Sequence, residues 1–128
     1  MHSHTYSGNP LGCAVALGVL RIFQTQSVLR QVQEKSQWLT TRFQEVLGEN
    51  PHVGEIRHIG FIYALELVEN LQDNRVGYKI YKKALEQGLI LRPQGNVIYF
   101  NPPLNIKKRE LSLAMRRTQE FIKEVLLS

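Results

Sequence analysis

The stretch Glu55-Ile56-Arg57-His58-Ile59-Gly60-Phe61-Ile62-Tyr63-Ala64-Leu65-Glu66-Leu67-Val68 decides the fold. Phe61, Tyr63, Leu65 and Leu67 alternate with Ile62, Ala64, Glu66 and Val68, the period of two that sends successive side chains to opposite faces of a sheet. Glu55 to Ile59 is strand-like as well, with Gly60 between the two segments. Downstream, Leu89 to Leu91 and Val97 to Phe100 read as short strands around the turn Pro93-Gln94-Gly95-Asn96, and Asn101-Pro102-Pro103 ends that hairpin.

Helical periodicity fills the rest. Asn9 is an N-cap and Pro10 a favoured first residue for a helix to Gln24 that is apolar nearly all round, from Leu11 through Phe23. Such a helix is buried on several sides, so in a chain this small its cover must come from elsewhere. Ser27 is placed to cap a second helix ending near Gly48, with Leu29, Val32, Ser36, Leu39, Phe43 and Val46 as its inward stripe and Trp38 beside it. A third runs from about Asn74 to Gln87, with Gly77, Ile80, Tyr81, Ala84 and Leu85 inward, and Gly88 ends it. A fourth spans about Lys107 to Leu126; Lys107 is a poor cap, and Asn105 is the alternative. The order α, α, β, β, α, β, β, α predicts an α+β fold, an antiparallel sheet covered by helices.

Composition bounds the function. The 128 residues suffice for one domain able to bury roughly two-thirds of its unfolded surface. Hydrophobic residues at 43% and charged residues at 21% are globular values, not those of a disordered or fibrous chain. Leu11 to Leu20 is too short to span a bilayer and has no basic leader, so neither a membrane segment nor a signal peptide is expected. A single cysteine, Cys13, leaves no internal disulfide framework and suits the reducing cytoplasm. The net charge of +5 raises the question of nucleic acid, but the cations are dispersed until Lys107, Lys108, Arg109, Arg116 and Arg117, which fit a solvated helix face.

Two places carry candidate chemistry. His2-Ser3-His4-Thr5-Tyr6-Ser7-Gly8-Asn9-Pro10 runs hydroxyls and backbone amides into a helix N-terminus, which is either an anion site of the phosphate type or simply a capped helix start. His2 and His4 have no carboxylate or thiol at ligand spacing, so no metal is expected. Arg92, followed by Pro93 and a glycine turn, is suited to grip a carboxylate bidentately, or is an exposed edge arginine. Tyr99 on the returning strand lines the same pocket or belongs to the core. Cys13 and Ser7 have no nucleophile context.

Three segments together resemble a known family. His4-Thr5-Tyr6-Ser7-Gly8-Asn9-Pro10-Leu11-Gly12-Cys13-Ala14 is similar to the H-x-x-T-[FY]-x-G-N-P-L-[AG]-C-A stretch of the class III, fold-type I pyridoxal-phosphate aminotransferases. Arg57-His58-Ile59-Gly60 with Ala64-Leu65-Glu66-Leu67 resembles the family's R-x-x-G-x-x-x-[AG]-[IL]-[ED]-L hairpin. Gly88-Leu89-Ile90-Leu91-Arg92-Pro93-Gln94-Gly95-Asn96-Val97-Ile98-Tyr99-Phe100-Asn101-Pro102-Pro103 resembles G-[VL]-x-[LI]-R-P-x-G-x-x-I-Y-x-x-P-P, most like the biotin-pathway branch.

The resemblance implies a C-terminal part of such an enzyme: residues 1–26 end the large domain with its helix, and residues 27–128 form the small α+β domain. It implies a cytoplasmic homodimer in which Thr5, with Ser3 and His4, reaches the partner's pyridoxal 5'-phosphate, while Arg92 binds the substrate carboxylate and Tyr99 lines the pocket. The implied reaction converts 8-amino-7-oxononanoate to 7,8-diaminononanoate with S-adenosylmethionine or lysine as amino donor. No catalytic residue is expected in this stretch, because Lys35, Lys79, Lys82 and Lys83 lie in amphipathic helices unlike the context of the family's Schiff-base lysine. Alternatives are another class III ω-amino-acid or diamine aminotransferase, or a free-standing basic α+β module, for example one that binds RNA.

Overall fold

A computed structural model describes residues 7–68 and 75–127. Eight elements follow the expected order: α1 (Pro10–Thr25), α2 (Val28–Leu47), β1 (Val53–Ile59), β2 (Ile62–Leu67), α3 (Val76–Glu86), β3 (Arg92–Gln94), β4 (Val97–Phe100) and α4 (Lys108–Leu126). They divide into two compact units, residues 1–31 and residues 32–128.

In the first unit, α1 begins as the sequence predicts. Asn9 is extended (φ −62°, ψ 118°) and its Oδ1 accepts the amide hydrogens of Leu11 at 2.9 Å and Gly12 at 3.3 Å. No residue of α1 is buried, and Leu11 is 74% exposed. Leu29, expected inward on α2, is also exposed.

In the second unit, the sheet has the order β1-β2-β4-β3 with every neighbouring pair antiparallel. Tyr63, Leu65 and Leu67 of β2 and Ile98 and Phe100 of β4 send one face of the sheet into the core. Ser36, Leu39, Phe43 and Leu47 of α2 meet that core, and the Phe43 ring stacks on Tyr63 with centroids 4.6 Å apart. From α4 come Leu111, Met115, Phe121 and Ile122, and from α3 come Val76, Ile80 and Ala84. Each side chain of this size contributes roughly 1.5–3 kcal/mol when removed from water.

Three further expectations need correction. The strand placed at Leu89 to Leu91 lies instead at Arg92–Gln94. Its predecessor residues are consumed in ending α3: the Leu89 amide donates to the Ala84 carbonyl at 2.8 Å, and Gly88 takes the left-handed turn (φ +75°) that allows it. Pro93 is tolerated inside β3 because β3 is an edge strand, where a missing N–H leaves no ladder partner stranded. Leu85, expected inward, is 47% exposed, since Ile80 and Ala84 already occupy the buried stripe of α3. Finally, Asn105 does not cap α4; Lys107 holds that position, its N–H donating to Glu110 Oε2 at 2.9 Å.

The β3–β4 hairpin is closed by Gly95 and Asn96 alone, with Gly95 at φ +61°. Asn96 ties it to the end of β2: its carbonyl accepts from the Leu67 N–H at 2.9 Å, and its Nδ2 donates to the Leu67 carbonyl at 2.9 Å. On the other side α3 comes so close that a Cβ on Gly77 would lie 2.3 Å from the Gly95 carbonyl oxygen.

Candidate functional site

The register brings four side chains into one row across the sheet. Arg57 of β1 is paired with Ala64 of β2, Ala64 with Tyr99 of β4, and Tyr99 with Arg92 of β3. All four belong to the face opposite the core, because Tyr63, Leu65, Ile98 and Phe100 point the other way. Ile59 and Ile62 form the adjoining pair on the same face. Arg92 and Tyr99, separated by six residues in sequence, are therefore direct neighbours.

Their charges are in different states. Arg57 is gripped by Glu66 across the ladder and by Glu55 on its own strand, and these two hydrogen bonds, Glu66 first, raise its guanidinium pKa above the ordinary arginine value. Arg92 is exposed, and its guanidinium has no hydrogen bond or ion pair among the described residues. A planar fork fixed to a ladder strand, with Pro93 restricting the backbone after it, is matched to a carboxylate.

Three depressions meet at Tyr99. One of about 410 Å³ is lined by Ile62, Arg92, Pro93, Gln94, Tyr99 and Asn101. A second, of about 270 Å³, is lined by Arg57, His58, Ile59, Ile62, Ala64 and Tyr99. The third, of about 310 Å³, lies between Arg92, the 101–106 loop and α4. That loop is anchored from α2, where Lys35 Nζ donates to the carbonyls of Leu104 at 2.8 Å and Ile106 at 3.1 Å. Sequence patterning alone does not bring Ala64, Ile62 and Lys35 to this site; the strand register and the loop contact do.

Ser3, His4 and Thr5, together with His2, lie outside the described residues. The nearest described backbone does not serve a phosphate, because Asn9 takes the first amides of α1 through its side chain and the Cys13 N–H through its carbonyl at 3.0 Å. The described start of α1 is thus self-capped and offers no first-turn amide to the phosphate of the implied cofactor. Of the lysines, Lys35 is committed to the loop carbonyls and Lys83 to Glu124. Among the described residues no three His, Cys, Asp or Glu side chains group as metal ligands. No single described helix is long and apolar enough to cross a membrane.

The model of the aminotransferase class-III family matches residues 1–122. The chain belongs to that family. Among class-III relatives, an adenosylmethionine-8-amino-7-oxononanoate aminotransferase of Methanocaldococcus jannaschii is 37% identical over 130 residues, covering 96% of this chain and 28% of the relative. A putrescine–pyruvate aminotransferase of Pseudomonas aeruginosa is also 37% identical, over 117 residues, covering 86% of this chain and 25% of the relative. The crystal structure of the M. jannaschii enzyme superposes with a TM-score of 0.85 at 36% identity, over 96% of this chain and 30% of that one. The chain therefore spans less than a third of the length of the relatives it matches, and its α+β fold is that of the corresponding part of class-III enzymes.

Proposed function

We propose that the complete protein is a pyridoxal-phosphate aminotransferase of biotin biosynthesis, converting 8-amino-7-oxononanoate to 7,8-diaminononanoate. In this reading residues 1–26 end the large domain, residues 27–128 are the small domain, and the cofactor-linking lysine lies outside this chain. Thr5, aided by Ser3 and His4, contacts the cofactor phosphate of the partner subunit in a cytoplasmic homodimer, and the amino donor is S-adenosylmethionine or lysine. The observation that carries the reading is Arg92, a guanidinium without a protein partner among the described residues, fixed to a ladder strand beside Tyr99. Similarity to the M. jannaschii relative supports the choice of substrate.

Arg92→Ala in the complete enzyme tests it. Losing a bidentate carboxylate contact costs on the order of 2–4 kcal/mol, roughly 30- to 1,000-fold in kcat/KM. The keto acid should suffer that loss, its ester should not, and cofactor loading should persist. Equal loss with acid and ester would make Arg92 structural.

A second reading has its own support: the putrescine–pyruvate relative matches at the same identity, so a diamine donor with a short keto acid is the competing assignment. Turnover of putrescine with pyruvate exceeding that of 8-amino-7-oxononanoate would select it. A nucleic-acid module is less favoured, because basic side chains of α4 have partners within the fold: Lys108 Nζ sits 5.1 Å from the Trp38 ring centroid, and Arg117 donates to Gln87 Oε1 at 3.0 Å.

A further inference from the structure

We infer that Ala64 and Ile62 read the length of the aliphatic chain behind the carboxylate that Arg92 holds. This rests on the clamp assigned above and adds what lies beyond it. The two depressions lined by Arg92 and by Ala64 share Ile62 and Tyr99, so one continuous floor runs from the guanidinium across β4 to β2. Two strand spacings of about 4.8 Å separate the Arg92 and Ala64 backbones, which leaves room for several methylenes beyond the carboxylate.

The floor is apolar where a chain would lie. Ile59 is 80% exposed and Ile62 43%, large aliphatic surfaces left open on either side of the β1–β2 link. Ala64 makes the bay possible: it stands in the row between Arg57 and Tyr99, the one small side chain of the four. The far end does not supply a second anion site. Arg57 is gripped by two carboxylates, Glu66 and Glu55, and the His58 imidazole stacks on Tyr63, its Nε2 3.3 Å from Thr40 Oγ1. A cation at one end, methylene-compatible surface beyond it, and at the other end a guanidinium already held by two carboxylates suit an unbranched monocarboxylate, and disfavour a short dicarboxylate.

The test is a calorimetric titration of the complete protein with butyrate, hexanoate and octanoate, which needs no turnover. Burial of each added methylene predicts affinity rising by up to about fourfold per CH₂ in the wild type. Ala64→Leu, which fills the bay, should flatten that gradient while leaving butyrate binding unchanged. Ile62→Ser should flatten it too, and Ala64→Gly should keep it, which separates loss of the bay from damage to the strand. An unchanged gradient in both Ala64→Leu and Ile62→Ser overturns the inference and leaves the clamp standing. Butyrate affinity that does not fall in Arg92→Ala overturns the clamp itself, and with it the chain-reading role.

Discussion

The phenol of Tyr63 donates a hydrogen bond to the main-chain carbonyl of Ser36 at 2.8 Å, fastening the inner face of β2 to the middle of α2. Thr40 Oγ1 lies 2.8 Å from the same phenol oxygen, and the ring is fully buried beneath Phe43. Tyr63→Phe keeps the packing and deletes the hydroxyl, removing its bond to the Ser36 carbonyl, which Thr40 Oγ1 also reaches at 3.0 Å. A loss of about 0.5–1.5 kcal/mol, the net worth of one hydrogen bond, is expected in urea unfolding. No loss would mean that the Thr40 bond to Ser36 suffices without Tyr63.

Gly77→Ala should cost on the order of 1–3 kcal/mol, more than a Gly-to-Ala change normally returns in a helix. The added methyl would meet the Gly95 carbonyl at 2.3 Å and Pro93 Cβ at 3.3 Å, so α3 or the hairpin turn must move. Carboxylate affinity should fall alongside stability, because that hairpin carries Arg92.

Lys35→Met retains the stem and removes the ammonium from the Leu104 and Ile106 carbonyls. Charge-assisted hydrogen bonds of this kind are worth about 1–2 kcal/mol at a half-buried site. Exchange of the Ile106 amide, which donates to the Pro103 carbonyl at 3.0 Å, should accelerate while amides in the centre of the sheet keep their protection. Uniform acceleration throughout the second unit would point to global destabilisation instead.

Arg57 and Glu66 should show only weak coupling in a double-mutant cycle, fading as salt is added, because the pair is solvent-accessible. The pH dependence has a definite sign. The guanidinium pKa is raised by Glu66 and Glu55, so from neutral pH up to the ordinary arginine value its contribution is complete, and it is lost as pH rises beyond that. Between about pH 7 and 10 unfolding free energy should show no step from Arg57.

Much of this architecture is legible in the residues because two periodicities are cleanly separated. The alternation from Phe61 to Val68 and the stripe from Ser36 to Phe43 lead directly to β2 and α2. Leu89 to Leu91 misleads because its composition suits a strand, whereas its first amide is needed to close α3. Arg92 and Tyr99 stand out as single residues; that Ala64 completes their row follows only from the register between β2 and β4, which no local pattern encodes. The all-round apolarity of α1 correctly signals a helix, though none of its residues is buried.

The stitching of the Gly95-Asn96 turn to Leu67 has a consequence for how substrate preference can drift. Main-chain ladder bonds and one asparagine fix the hairpin that carries the guanidinium, and α3 packs against its turn. Ala64 and Ile62 hang from a different strand, and replacing either leaves every one of those bonds in place. Recognition of the acid and tolerance of its tail are thus separable traits. A lineage, or a laboratory, can retune the second by single-codon changes without first having to rebuild the first.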